Sequence, residues 1–108
     1  MQRADKQQRI SEHLRKHVAD FLNRESSRLS LITVTHVVLR ENLKNALILI
    51  TVYPEDKETE ALDFTKRKRS EIREYLQKHI RMMNIPRIDF EIDAGEKNRQ
   101  RLDELSER

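Results

Sequence analysis

One segment of the sequence, residues 46–53, is apolar at both odd and even positions. Successive side chains of a β-strand point to opposite faces of a sheet. Ile48 and Ile50 would therefore lie on one face, and Leu47 and Leu49 on the other. A short strand that is apolar on both faces is typical of the middle of a sheet, so we expect residues 46–53 to form a central strand.

A second strand is predicted just before the central one. Residues 29–39 are rich in β-branched side chains, and a polar stretch forms a turn between the two strands. Ile32 and Val34 alternate with threonines, whereas Val37 and Leu39 occupy positions of the opposite parity. A change of parity within one strand indicates an inserted residue, so we predict a β-bulge near Thr35 and His36.

A third strand is predicted after Pro86, where Ile88, Phe90 and Ile92 alternate with charged residues. This alternation favours a strand with one buried face and one wet face. A helical segment of about thirty residues separates it from the central strand, and a connection of that kind suits a parallel crossover. We therefore predict a three-stranded mixed sheet.

Helical spacing marks two further regions. The first covers about 5–23, where apolar residues recur at intervals of three and four. The second lies between Pro54 and Pro86, which would end it, and a run of four bases interrupts its apolar stripe. That interruption is compatible with two helices that meet at a kink and equally with one long helix. The stripes consist of Ile10, Leu14, Val18, Phe21 and Leu22 in the first region, and of Ala61, Leu62, Ile72, Leu76, Ile80 and Met83 in the second.

The end of the second helical region and the tail differ in their apolar content. We interpret Met82, Met83 and Ile85 as core residues where the helix ends against the third strand. The tail has only Leu102 and Leu105 as apolar anchors. We therefore expect a single domain, 1–93, and a C-terminal tail, 94–108, that is a short helix or partly disordered.

The order helix, strand, strand, helix, helix, strand predicts an α+β fold with the helices on one face of the sheet. One glycine and two prolines in 108 residues are too few for the turns of a sandwich or barrel. The absence of cysteine excludes disulfides, thiolate zinc sites and cysteine nucleophiles. The longest apolar run, 46–50, is too short to span a bilayer, and we expect a cytoplasmic protein.

Charge is unevenly distributed along the second helical region. Residues 55–63 contain five acids and one base, whereas residues 64–84 contain seven bases and two acids. Four of these bases are consecutive, at 66–69. Such clustering is compatible with a solvated helix face and with a site that binds a polyanion. The flank of the first helix carries Lys6, Arg9 and Lys16. These bases are compatible with a solvated flank and with a second basic edge that binds a partner.

No catalytic or metal-binding motif is evident. His13 and His17 are one helical turn apart, but no carboxylate completes a zinc-binding motif, and we interpret the four histidines as surface residues. Ser70 lies among bases without a catalytic motif, so we expect no enzyme and no cofactor. Aromatic residues make up 5% of the chain, so any nucleic acid would be bound through phosphates and shape rather than base stacking.

These elements together resemble bacterial ribosome-binding factor A along nearly the whole chain. The most specific stretch is 85–93, Ile-Pro-Arg-Ile-Asp-Phe-Glu-Ile-Asp, which is similar to the family's V-P-x-L-x-F-x-x-D strand. Ser70, Ile72 and Arg73 begin a stretch that follows the family's Gly-x-Ile-Arg-x-x-Leu-x-Lys. Further similarity lies at 8–10, 22–25, Arg28, Leu29, 33–35, Asn42, Leu43, Ala46, Arg101, Leu102 and Leu105.

The resemblance implies the type II KH-like fold, in the same element order, and a factor that is not an enzyme. It further implies a monomer that binds the free small (30S) ribosomal subunit, assists maturation of its 16S rRNA and leaves before translation. No membrane, cofactor or small-molecule substrate is implied. Three family features are replaced: Lys68-Arg69-Ser70 stand at an Ala-x-Gly kink, Ser26-Ser27 at an Asp-Pro turn, and Arg99 at a tail glycine.

Two functions stay open from the sequence. The first is a cytoplasmic ribosome assembly factor, whose basic kink and first-helix edge contact rRNA phosphates. The alternative is a KH-like module that binds another RNA or an acidic protein and has no role in subunit maturation. The predicted RNA-binding residues are Lys66, Arg67, Lys68, Arg69, Arg73, Arg9, Lys6 and Lys16.

Overall fold

The computed structural model describes residues 3–25 and 30–106, and the side chains of 6–25 and 30–103. Its elements follow the predicted order, with a further helix at the C-terminal end. The similarities noted at Arg28, Leu29 and Leu105, and the Ser26-Ser27 replacement, lie outside the described residues or side chains. The elements are α1 (Arg3–Glu25), β1 (Leu31–Arg40), β2 (Asn45–Tyr53), a 3-10 turn (Glu55–Lys57), α2 (Glu58–Arg67), α3 (Arg69–His79), β3 (Arg87–Ile92) and α4 (Ala94–Ser106).

The sheet is three-stranded and mixed, in the order β1-β2-β3. β1 is antiparallel to β2, and β3 is parallel to it, so the predicted central position of β2 is confirmed. The predicted bulge is confirmed as well, because the register passes from Val34 opposite Ile50 to His36 opposite Leu49 and leaves Thr35 unpaired. This α+β arrangement is the type II KH-like fold.

Helices cover one face of the sheet. The inward side chains of the three strands form one apolar cluster with those of α1, α2 and α3. Phe90 and Ile48 are opposite each other across β3 and β2, and both are fully buried beneath the helices. The fully buried helix residues include Leu14, Val18, Leu22, Ile72 and Leu76.

The end of α3 differs from the prediction. The apolar stripe predicts a helix continuing through Met83, but α3 ends at His79 and Ile80 is extended, with φ −124° and ψ 131°. The interpretation of Met83 as a core residue is wrong, because its side chain is 97% exposed. The chain must turn back here to place β3 beside β2, and Ile85 reaches the core while Met83 points outward.

Ion pairs join the described part of α4 to the segment that follows β2. Leu102, expected to anchor the tail, is 64% exposed. Lys97 Nζ lies 3.0 Å from a Glu58 carboxylate oxygen, and Arg101 Nη2 lies 2.8 Å from one of Glu55. No helix in the described part of the chain is long and apolar enough to cross a membrane.

Candidate nucleic-acid interface

Lys68 forms the junction between α2 and α3. Its backbone N–H donates to the carbonyl oxygens of Phe64 and Thr65, each at 3.2 Å, and its own carbonyl accepts from the Ile72 N–H at 2.9 Å. The backbone angles of Lys68 are φ −92° and ψ 5°, a conformation that does not require glycine. The chain therefore has two helices and a kink without the family's Ala-x-Gly residues.

Two cations flanking the kink share one acceptor on β3. Lys66 Nζ lies 2.7 Å and Arg69 Nη1 lies 3.3 Å from Oδ1 of Asp89. Burial opposes ionisation of this carboxyl, but the hydrogen bonds from Lys66 and from the Phe90 N–H, with the charge of Arg69, lower the pKa of Asp89 overall. The carboxylate thus fixes both cations beside the sheet.

The other cations near the kink have different surroundings. Arg73 donates through Nη2 to the carbonyl oxygen of Ile85 at 3.1 Å, which ties α3 to the chain before β3. Lys68 Nζ lies 3.4 Å from a Glu71 carboxylate oxygen. Arg67 is exposed at the last position of α2. Of this group, Arg67 has the freest access to a solvent-borne anion.

A groove of about 580 Å³ runs beside the kink and along the edge of the sheet. Arg40 and Arg87 line it because both pair with Asn45, which places the three residues in one row across the strands. The groove also contains Asp89 and Glu91. Its four arginines are Arg40, Arg69, Arg73 and Arg87, so bases outnumber acids two to one.

The predicted cations of α1 lie elsewhere. Lys6 and Arg9 line a pocket between the start of α1, the hairpin tip and the chain after α3. Lys16 lines a shallow depression on the flank of α1, together with Arg9 and Arg15. The structure therefore separates the eight predicted residues into a kink group, a pocket group and a helix flank. Among the described residues, no cluster of three or more histidine, aspartate or glutamate side chains is placed to hold a metal ion.

Sequence reasoning missed Arg40 and Arg87. Neither belongs to a basic run, but Arg40 ends β1 and Arg87 begins β3. β1 is antiparallel and β3 is parallel to the central strand, so the end of β1 and the start of β3 lie at the same end of the sheet. The predicted topology therefore contained the signal that would have found them.

Comparison with known proteins identifies the family of the chain. The sequence model of the ribosome-binding factor A family matches residues 6–106. Ribosome-binding factor A of Stutzerimonas stutzeri is 31% identical over 107 residues, covering 94% of this chain and 83% of the relative. That of Thermomicrobium roseum is 29% identical over 93 residues, covering 83% and 72%.

A solved structure shows the same fold. The crystal structure of ribosome-binding factor A from Thermus thermophilus superposes with a TM-score of 0.69 at 21% identity, covering 78% of this chain and 92% of that one. The family match spans every element that forms the kink and the groove. The chain therefore belongs to the ribosome-binding factor A family.

Proposed function

We propose that this protein is a ribosome assembly factor that binds the free small (30S) ribosomal subunit as a monomer and assists maturation of 16S rRNA. It acts by binding and not by catalysis, in the cytoplasm, and it leaves before translation. Membership of a family named for ribosome binding supports a ribosomal partner. The observation that carries the proposal is the groove with four arginines beside the kink.

The groove suits a nucleic-acid backbone. Guanidinium groups bind phosphates through paired hydrogen bonds, and four of them line a surface cavity of about 580 Å³. No aromatic side chain is among the described residues that line it, so the groove offers phosphate contacts and shape rather than base stacking. Asp89 and Glu91 would repel a phosphate placed directly over them, which restricts the path of the RNA strand.

The predicted RNA-binding residues differ in the contacts that they already make within the protein. Lys66 and Arg69 already pair with Asp89, and Lys68 pairs with Glu71, so each would have to exchange a carboxylate for a phosphate. Arg73 supports the chain before β3, and its substitution would test folding as much as binding. The groove variant with the clearest meaning therefore replaces Arg40, Arg69 and Arg87 with Gln.

Sedimentation tests the partner. The protein should travel with free small subunits in a lysate gradient and be largely absent from translating ribosomes. Equal occupancy of translating ribosomes would contradict an assembly role. It would favour the alternative, an RNA-binding module without a role in subunit maturation.

Salt dependence tests the groove. If four phosphates are neutralised, with a slope of about −0.7 per contact, affinity for the small subunit falls roughly 50-fold between about 50 and 200 mM salt. The groove variant, with one of the four arginines left, should lose only about threefold over the same range. A matched variant that replaces Arg24, Lys78 and Arg99, which are exposed outside the groove, should keep the parent slope. A groove variant that also keeps the parent slope would place the RNA elsewhere.

A further inference from the structure

A second cavity adjoins the groove at the kink, and Arg87 lines both of them. It has a volume of about 910 Å³ and is formed by the start of α1, the hairpin tip and the segment between α3 and β3. Its floor is aliphatic, with Ile85 buried and Ile10, Leu43 and Met82 partly buried. Met83 stands at its mouth with 97% of its surface in water. An apolar floor with an exposed methionine beside it has the character of a protein-binding surface.

The rim of this pocket is strongly basic. Five of its lining residues are lysine or arginine, and none of the described side chains that line it is aspartate or glutamate. It therefore differs from the groove at the kink, where Asp89 and Glu91 stand among the cations. The five cations are Lys6, Arg9, Lys44, Arg81 and Arg87.

The hairpin tip beside the pocket is conformationally strained. Glu41, Asn42 and Leu43 have φ angles of 52°, 56° and 71°, in the left-handed region that non-glycine residues rarely adopt. Strained backbone that persists at a concave surface is typical of binding sites, and here it presents Leu43 to the pocket floor.

We propose that this pocket binds an acidic amphipathic segment of a partner protein. Apolar side chains of that segment enter the aliphatic floor, and its carboxylates meet the basic rim. None of the pocket's described side chains is a Phe, Tyr or Trp on which a nucleobase could stack, and its aliphatic floor contributes nothing to phosphate binding. Only a ligand that carries both apolar side chains and carboxylates would contact both the aliphatic floor and the basic rim. The peptide would occupy a different cavity from the rRNA, although Arg87 lines both cavities.

A fluorescent peptide of about 15 residues serves as the probe. It carries Leu at positions spaced like i, i+4 and i+7 of a helix, and Glu on the opposite face. A first control peptide replaces the leucines with Ser at unchanged charge. A second replaces the glutamates with Gln at unchanged apolar surface. We expect both controls to bind at least about tenfold more weakly in fluorescence anisotropy.

Protein variants locate the site. Met83→Gln and Arg81→Gln change exposed side chains, so the fold should persist, which thermal unfolding verifies. Each should weaken peptide binding by roughly tenfold. Leu102→Gln and Lys78→Gln, which change exposed side chains that do not line the pocket, should leave it unchanged.

Three outcomes would overturn the proposal. The first is equal binding of the serine peptide, which would make the contact one of charge alone. The second is displacement of the peptide by an oligouridylate together with unchanged binding by Met83→Gln, which would make the pocket an RNA surface. The third is a concentration-dependent dimer that Met83→Gln dissociates, which would make the occupant a second copy of the chain.

Discussion

The ammonium group of Lys66 lies 2.7 Å from Oδ1 of Asp89, and this ion pair joins α2 to β3 beside the kink. Arg69 reaches the same oxygen. One carboxylate thereby positions Arg69, which lines the proposed RNA-binding groove, and Lys66 beside the kink, and it partly neutralises both cations.

Asp89→Asn should strengthen binding to the small subunit. Removing one negative charge from the groove leaves Lys66 and Arg69 free to bind phosphate, an effect of about 1 kcal/mol near a protein surface, or roughly fivefold at low salt. Affinity measured across a salt series should show a steeper slope than the parent. Asp103→Asn, on exposed α4, is the matched control. If Asp89→Asn binds no more tightly than this control, phosphates do not occupy the groove near the kink.

Glycine should have opposite effects at two positions. Glu41 has a φ of 52°, so Glu41→Gly relieves backbone strain and should raise the free energy of unfolding by about 1 kcal/mol. Ser70 is in the first turn of α3, so Ser70→Gly, which restores the family residue, should lower it by about 0.5 kcal/mol. Urea unfolding of the two variants measures both. A stabilising glycine at 70 would show that the kink is strained without it.

Asp93 should control the start of α4. It is buried, and its carboxylate accepts the Glu96 N–H at 3.0 Å and a hydrogen bond from the Thr35 hydroxyl. Burial opposes ionisation, but these hydrogen bonds outweigh it and lower the pKa of Asp93. Asp93→Ala should destabilise α4 by about 1 to 2 kcal/mol, seen as faster amide exchange over residues 96–103, whereas Asp93→Asn should retain most of the protection.

The lowered pKa of Asp93 also predicts a pH dependence. Its stabilising contribution is complete above the unfolded value of about 3.9 and is lost as pH falls through the lower folded value. Stability of the parent should therefore fall more steeply in acid than that of Asp93→Asn. Parallel curves would mean that the carboxylate is not preferentially charged in the folded protein.

Because of His17, the free energy of unfolding should decrease as the pH is lowered from neutral to mildly acidic. Burial and, secondarily, the charge of His79 lower the pKa of His17, and its Nδ1 is buried without a hydrogen-bond partner among the described residues. The unfolded chain binds a proton near pH 6.5 whereas the folded chain resists it, so stability is complete above about 6.5 and declines below it. His17→Gln should show a smaller decrease in unfolding temperature from about pH 7.5 to about pH 5.5.

The matched control is Gln77→Asn, an exchange at an exposed position of α3 that changes no titratable group. It should keep the parent's pH dependence. If His17→Gln and the parent lose stability equally, His17 titrates alike in the folded and unfolded chains.

Sequence periodicity predicted the sheet well because strand parity reports directly on which face is buried. The bulge at Thr35 followed from a change of parity, and the central position of β2 from its two apolar faces. The end of α3 was missed, since Ile80 and Met83 continue the helical spacing although the backbone has already left the helix. Local pattern cannot reveal that the chain must turn there to reach β2.

The candidate site was less accessible to sequence reasoning. A run of bases is visible locally, and it identified the kink. Arg40 and Arg87 are 47 positions apart in the sequence and meet only because both flank Asn45 in the sheet. Ion pairing was also hidden, because Asp89 lies far in sequence from the lysine and arginine that it holds.

The unpaired residue in β1 determines which later side chains of that strand face the helices. By adding one position, Thr35 turns Val37 and Leu39 toward the helices, opposite Ile48 and Ala46. Its hydroxyl lies within hydrogen-bond reach of the Leu49 carbonyl on β2 and of the Asp93 carboxylate, which precedes α4. A one-residue deletion in β1 would therefore expose two apolar side chains and release the C-terminal helix in a single event.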